Sequence, residues 1–325
     1  MKATMAPFSS GVRLGLQPDG TLVVEASAVD MGQGARSALA RMAAAAMGIA
    51  VEDVRIVDPD TLITPFDATT SSSRTVNQHY HAIAEAADRL RAELERLARQ
   101  VGEGGIEPAY RDGRLVDEAR GTSLSAGEVV AAAGLERLDV EAAHVNHPPV
   151  DPDSGEPAMT SHWHQGALVV DVAVDMETGA VSIDRARGAA WAGIVVDPIG
   201  ASRQNDGNVI YGLGPAMFEA LELPASGPRP TSLRDYRIPN IRDVPTVLET
   251  VALEAGGPAV AGDPDTHIEP GGLGESLVTA VAPAIGNAIA AAVGVRPREL
   301  PMTADRVLDL IATVASATSA GRATR

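Results

Sequence analysis

Apolar and polar residues alternate at the start of the chain. Val12, Leu14 and Leu16 share one face of a strand, Asp19-Gly20 turns the chain, and Leu22-Val23-Val24 returns, which predicts a hairpin. The period changes after Val29-Asp30-Met31-Gly32-Gln33-Gly34, a strand end running into a Gly-x-Gly turn. From there Ala35, Ala38, Leu39, Met42, Ala43, Ala46 and Met47 recur on one helical face. Gly48 stops that helix, and Val54-Arg55-Ile56-Val57 resumes as a strand. The hydroxyl-rich loop Asp67-Ala68-Thr69-Thr70-Ser71-Ser72-Ser73-Arg74-Thr75 comes before a helix over 81–100. Ile83, Ala86, Ala87, Leu90, Leu94, Leu97 and Ala98 form its apolar stripe. Glu85 and Arg89, and likewise Glu95 and Arg99, have the i,i+4 spacing that pairs opposite charges on the solvent side.

Residues 101–138 are glycine-rich and charged and read as a connector, with one short helix near 125–133. The run His147-Pro148-Pro149-Val150-Asp151-Pro152-Asp153 reads as extended linker. It divides the chain into a first part, 1–145, and a second, 146–325. In the second part, 168–174 and 181–184 form another hairpin around a turn ending at Gly179. A helix over 201–221 follows, although Gly207, Gly212 and Gly214 weaken it. Residues 247–253 read as a strand and 277–293 as a small-residue helix whose alanines and Gly286 suit close packing. Thr303 caps a last helix with Val307, Leu308, Ile311 and Val314 toward the core, and the tail from Ser316 is expected to fray. Both parts repeat hairpin, glycine turn, helix and strand. The expected class is α+β, built from two related α/β subdomains rather than one doubly wound sheet.

Composition narrows the partners. The 325 residues carry a net charge of −17, which disfavours nucleic acid and anionic membrane surfaces. No apolar run approaches the ~20 residues of a membrane span. The first ten residues hold no apolar stretch of signal-peptide length, so a cytoplasmic location is expected. There are no cysteines. That excludes disulfides, a thiol nucleophile, thiolate-bound zinc and any iron–sulfur cluster held by this chain alone.

The strongest chemical signal is Pro270-Gly271-Gly272-Leu273-Gly274-Glu275-Ser276. It places a single carboxylate at the end of a glycine turn, where backbone can press close to a ligand. Such a group suits acid–base work, and it equally suits a helix start. The turn at Gly32-Gln33-Gly34 presents amides that fit a phosphate or a pterin edge, or it is a plain tight turn. Ser72, Ser73 and Thr75 with Arg74 could grip a phosphate, or populate a loop and a cap. Two histidine pairs, His79/His81 and His162/His164, lack an evident third ligand. They read as surface or interface residues, and no metal held by protein side chains is expected. No coherent nucleophile–base set for a free-standing hydrolase emerges.

Taken in order, these segments resemble the C-terminal molybdopterin-binding half of the large subunit in the xanthine dehydrogenase/aldehyde oxidase family of molybdenum hydroxylases. The resemblance covers nearly the whole chain. Its motifs are Asp30-Met31-Gly32-Gln33-Gly34, then Ser72-Ser73-Arg74-Thr75, then Gln204 with Tyr211-Gly212-Leu213-Gly214. Leu233-Arg234-Asp235-Tyr236-Arg237-Ile238-Pro239 with Asp243-Val244-Pro245 follows. The last is Gly272-Leu273-Gly274-Glu275 with Ala282-Pro283-Ala284-Ile285-Gly286-Asn287 and Leu300-Pro301-Met302-Thr303. Tyr211 stands where the family has Gln. Ser276 replaces a Pro, an exchange expected to loosen that turn. Trp191 and Asp197 sit in a stretch where the family more usually has Asp-Val-Gly and Asn-Pro.

The resemblance implies hydroxylation of an electron-poor carbon, in an N-heteroaromatic or an aldehyde, with oxygen from water. Glu275 matches the family's general base. Gly32, Gln33, Gly34, Ser72, Ser73, Arg74, Thr75, Gln204 and Gly274 would bind a molybdenum-molybdopterin cofactor, expected in its cytosine dinucleotide form. The family's N-terminal half has no counterpart here, which implies a molybdenum subunit split over two chains, as in nicotinate dehydrogenases. The expected partners are a second molybdopterin-binding subunit carrying that half, an iron–sulfur subunit and an FAD subunit. The alternative is a non-catalytic cofactor-binding or scaffold subunit, with Tyr211 and Ser276 as its support.

Overall fold

The computed structural model describes residues 2–3, 8–102, 107–147, 150–151, 153–156, 160, 163–254 and 269–323, the side chains of 2–3, 8 and 315–323 excepted. His162 and parts of the 147–153 linker lie outside the described residues.

In chain order, β1 (Lys2–Ala3), β2 (Phe8–Leu16) and β3 (Leu22–Ala26) lead into α1 (Ala35–Met47) and β4 (Val54–Ile56). α2 (Thr75–Val101), β5 (Ala109–Arg111), β6 (Arg114–Asp117), β7 (Thr122–Ser125), α3 (Ala126–Ala132) and β8 (Leu138–Asn146) come next. The remainder holds β9 (Trp163–His164), β10 (Gly166–Val174), β11 (Val181–Gly193), α4 (Pro198–Leu213), β12 (Val247–Glu254), α5 (Val278–Val293) and α6 (Ala304–Ala323).

The first hairpin forms as its alternation predicts, Leu14 opposite Val24 and Leu16 opposite Leu22. β8 adds antiparallel to β2 and β4 parallel to β3, giving the order β4-β3-β2-β8. α1 and α2 cover one face of this sheet, so Val12, Leu14 and Leu22 pack with Leu39, Ile83 and Leu90, all within 2 % of full burial. The second sheet runs β10-β11-β12, with β12 parallel to β11. α4 and α5 cover it around Leu213, Val281, Ile285 and Ile289. Mixed helices and antiparallel hairpins confirm the α+β class.

Several elements differ from the sequence expectation. α2 begins at Thr75, six residues before the predicted start. Thr, Val, Asn and His are poor helix formers, but Asn77, Gln78 and His79 are buried to 1 % or less, and tertiary packing overrides propensity. The connector contains a three-stranded sheet, β5-β6-β7, as well as the expected short helix, which Ser125 and Glu128 close with a capping box. α4 spans 198–213 rather than 201–221; beyond it a single π turn, Gly214–Phe218, carries Pro215, which has no N–H to extend the α ladder. The close helix contact falls at Gly212 rather than Gly286. A Cβ on Gly212 would stand 2.5 Å from Val281, whereas one on Gly286 would meet Met302 at an ordinary 3.7 Å. α6 continues to Ala323, past the predicted fraying point, and Leu308 stays exposed while Val307 is fully buried.

Candidate functional site

A cavity of about 420 Å³ opens where the two sheets' helices meet. Gln33 and Gly34 line it from the head of α1, Ser71, Ser72, Ser73 and Thr75 from the loop that leads into α2, Gln204 from α4, and 271–275 from the glycine turn. α1, α2 and α4 begin at this cavity, and α5 begins three residues after Glu275. Helix N-termini carry partial positive charge, so their convergence favours an anion although no Lys or Arg lines the space. Asp197 caps α4, Asp30 accepts from the first-turn Arg36 amide of α1 and Asn208 from the Val278 amide that opens α5, whereas the N-cap residue of α2 makes no side-chain cap.

The glycine turn and the hydroxyl loop interlock. A Cβ on Gly272 would come within 2.1 Å of the Ser73 carbonyl oxygen and 2.4 Å of the His164 ring. Only glycine permits that approach. Ser72 and Ser73 both hold left-handed backbone, at φ 57° and 55°, a conformation costing roughly 1–2 kcal/mol per non-glycine residue. The Ser73 hydroxyl donates to Glu275 Oε2 at 3.0 Å.

Asn208 and Asn77, which no motif singles out, and His164, expected at a surface or interface, hold this turn. Asn208 Nδ2 donates to the Leu273 carbonyl at 3.0 Å, and its Oδ1 accepts from the Val278 amide at 3.3 Å. Asn77 Nδ2 donates to the Pro270 carbonyl at 3.1 Å, tying α2 to the turn's first residue. His164 supports it from behind. The Ser276 hydroxyl donates to the Gly272 carbonyl at 2.7 Å, so at His164 Nδ1, 3.1 Å away, it accepts, and Nδ1 carries the proton. The expected loosening at Ser276 therefore does not occur: the hydroxyl fastens the turn. The only sequence signal for Asn208 is its place one helical turn after Gln204.

Other candidates sit differently. Arg74 is 2 % exposed and does not line the cavity. It donates to the Thr69 carbonyl and lies near Asp67; burial lowers its pKa and the Asp67 charge offsets part of that. It braces the loop from inside, leaving the hydroxyls at the surface of the cavity. Gln33 reaches the cavity, but its amide folds back on its own loop, accepting from Met31 N–H at 2.7 Å and donating to the Val29 carbonyl at 2.8 Å. Gly32 shapes the turn at φ 103° without lining the space. Tyr211 is exposed and also outside the lining.

The Asp30 carboxylate accepts from the amides of Gly32 at 2.9 Å, Gly34 at 3.4 Å and Arg36 at 3.0 Å. Burial pushes its pKa up, but those amides outweigh it and hold the group below the ordinary value. Asp197 behaves alike: burial opposes ionisation, while the Gly200 amide, the Ser37 hydroxyl and Arg41 favour it. Asp30→Ala should cost about 1 kcal/mol at neutral pH, because it removes the acceptor for the Gly32 and Arg36 amides. Because the folded pKa lies below the unfolded one, the unfolded chain binds the proton more readily. The wild-type advantage is thus complete above the unfolded value and is lost as pH falls through the folded value. Denaturant unfolding of both proteins from neutral pH to pH 3 checks this.

Of the histidines expected at a surface or interface, His79 and His164 are instead buried. His81 pairs with Glu269 and stacks on His144 at 4.4 Å between centroids. Burial and the neighbouring His81 lower the His144 pKa, against the opposing charges of Glu269 and Glu85. Among the described residues no three His, Asp or Glu side chains converge to hold a metal ion.

Residues 1–245 match the molybdopterin cofactor-binding domain family. The chain belongs to that family. It is 30 % identical over 314 residues to the putative xanthine dehydrogenase molybdenum-binding subunit XdhA of Escherichia coli K12, covering 92 % of this chain and 39 % of that one. It is 28 % identical to the aldehyde oxidoreductase molybdenum-binding subunit PaoC of Escherichia coli O157:H7, covering 92 % and 38 %. A Cu,Mo-CO dehydrogenase structure superposes with a TM-score of 0.76 at 20 % identity, covering 96 % of this chain and 40 % of that one, which shows the shared fold. The chain thus spans about two fifths of the length of the curated relatives it matches.

The cavity suits a molybdopterin. A pterin needs donors and acceptors along its edges, and the Gln204 amide and the Gly274 backbone face the cavity, with Gln33 lining it beside them. A phosphate needs N–H and O–H donors. Ser71, Ser72, Thr75 and the uncapped first turn of α2 supply them at the positive end of a helix.

Proposed function

We propose that this chain is the molybdopterin-binding part of a molybdenum hydroxylase that oxidises an electron-poor carbon, in an N-heteroaromatic or an aldehyde, with oxygen derived from water. One observation carries the reading: Glu275 lines the same cavity as Gln33, the 71–75 hydroxyls and Gln204. The relatives' names, a xanthine dehydrogenase and an aldehyde oxidoreductase, support both substrate classes.

When bound, the cofactor supplies two-electron redox chemistry and an activated water-derived oxygen. Gln33, Gly34, Ser72, Ser73, Thr75, Gln204 and Gly274 hold it, with Gly32 shaping the first turn and Arg74 bracing the second. Glu275, half-buried in the cavity wall, would serve as the base that accepts a proton at its carboxylate during the reaction. Residues 1–145 provide the α1 and α2 side of the site and 146–325 the Glu275 side. The cytosine dinucleotide form of the cofactor and a cytoplasmic location belong to the same reading. Among the described residues no helix is long and apolar enough to cross a membrane.

The relatives are themselves molybdenum-binding subunits and extend well beyond the matched region. On this reading a second molybdopterin-binding subunit supplies the unmatched part. Electrons leave through an iron–sulfur subunit and an FAD subunit, since a chain without cysteine cannot ligate the clusters itself. The scaffold alternative leaned on Tyr211 and Ser276. Tyr211 lies outside the cavity lining and Ser276 fastens the turn, so neither argues for it.

Molybdenum analysis of the complex purified natively through a tag on this chain tests the proposal. The expected content is about one molybdenum per copy of the chain, with partner chains bound. An intact, folded complex without molybdenum would overturn it.

A further inference from the structure

We propose that Ser73 is a positioning residue for Glu275, its hydroxyl fixing the carboxylate's orientation within the cavity. The inference rests on the reading of Glu275 as the base. It starts from backbone geometry: two successive serines stand in the left-handed region where glycine would be easier. The strained pair is held from both sides. Beneath it, Arg74 is buried beside Asp67, and Asp67 takes a 2.6 Å hydrogen bond from Ser10. Above it, Gly272 and Gly274 lack side chains where Ser73 approaches: a Cβ on Gly274 would sit 3.0 Å from Ser73 Oγ, and one on Gly272 far closer to the Ser73 carbonyl. Strain that the surroundings over-determine in this way is a mark of a site under functional constraint. Its product here is one contact, Ser73 Oγ to Glu275 Oε2 at 3.0 Å, joining residues 202 apart in sequence.

A hydroxyl donating to a carboxylate favours the ionised form and restricts its rotamers. Ser73 thus keeps Glu275 ready to accept a proton at neutral pH and aimed in one direction. Among the described residues the other titratable group lining the cavity is Asp197 at the head of α4; behind the lining lie Arg74 with Asp67 under the loop, His79 and His81 on α2 with Glu269 before the turn, His164 behind Gly272, and Arg41 on α1 beside Asp197. Asp197 is already held by Gly200 and Arg41. None of these is removed by a change at Ser73.

The test compares Ser73→Ala, Ser73→Gly and Glu275→Gln in the intact complex at equal molybdenum content. Alanine deletes the hydroxyl and keeps the strain; glycine deletes it and relieves the strain. Both are expected to lower kcat about tenfold with KM within about twofold, and to move the acid limb of kcat up by about one pH unit. The carboxylate infrared band of Glu275, assigned by difference against Glu275→Gln, should titrate at correspondingly higher pH in both variants, independently of turnover. Normal kcat and an unmoved band in Ser73→Ala would overturn the proposal, as would wild-type behaviour restored by Ser73→Gly. An inactive Glu275→Gln beside a normal Ser73→Ala overturns this proposal alone. A Glu275→Gln enzyme at near wild-type rate overturns the base reading and this one with it.

Discussion

Replacing Glu275 with Gln should leave the chain folded and loaded with molybdenum while lowering kcat about 10³-fold, the usual weight of a positioned general base. Gln matches Glu in shape, and its carbonyl oxygen can still accept from the Ser73 hydroxyl, so the turn keeps its 3.0 Å tie to the loop. What the variant lacks is a group able to take a proton. Loss of an interaction used in the transition state lowers kcat and kcat/KM together, and KM should change little. Steady-state kinetics on variant and wild type matched for metal content measure this. A fully loaded variant turning over near the wild-type rate would mean that Glu275 serves only as a carboxylate near the α5 start.

Gly272→Ala should have the largest structural effect in the site. The new methyl would fall 2.1 Å from the Ser73 carbonyl oxygen and 2.4 Å from His164 Cε1. The first neighbour is backbone and the second a ring in a buried residue, so neither can swing aside. The turn or the loop must move, at a cost of about 3 kcal/mol. Movement here breaks the Ser276–Gly272 hydrogen bond and separates Ser73 from Glu275, so molybdenum retention and turnover should fall along with the unfolding midpoint. Gly286→Ala is the control. Its methyl would meet Met302 at 3.7 Å, an ordinary contact, and stability should hold. Thermal unfolding and metal analysis of the two variants side by side separate a demand at one glycine from a general intolerance of added bulk.

Much of this chain could be read locally. The first hairpin follows from the alternation of Val12, Leu14 and Leu16, the Asp19-Gly20 turn and the apolar run Leu22-Val23-Val24, and α1 from seven apolar positions on one face between Gly34 and Gly48. The ion pairs Glu85–Arg89 and Glu95–Arg99 form on α2 as their spacing implies. Elements failed where burial outweighed propensity. The first turn of α2 is made of residues that disfavour helix, yet Asn77 and Gln78 find partners beneath it in Asn146 and Ser10, and His79 bonds back to the Thr75 carbonyl of the same helix. Arg74 reads as an anion ligand only while its surroundings are unknown; packed near Asp67, it serves the loop rather than a ligand. Ser276 reads as a weakened proline site for the same reason, since nothing local announces His164, 112 residues away.

By itself the sequence determined the α+β class, the main strands and helices, and the motifs that place the chain among molybdopterin-binding proteins. Periodicity and turn chemistry act over a few residues, so they are legible in any stretch of chain. The tertiary structure decided which of those motifs share a cavity, that the helices flanking them point their positive ends toward it, and that Ser73, Asn208, Asn77 and His164 hold the Glu275 turn. Those contacts join residues tens to hundreds of positions apart. Their strength depends on burial and on hydrogen-bond geometry of an ångström or less, neither of which exists until the chain has folded.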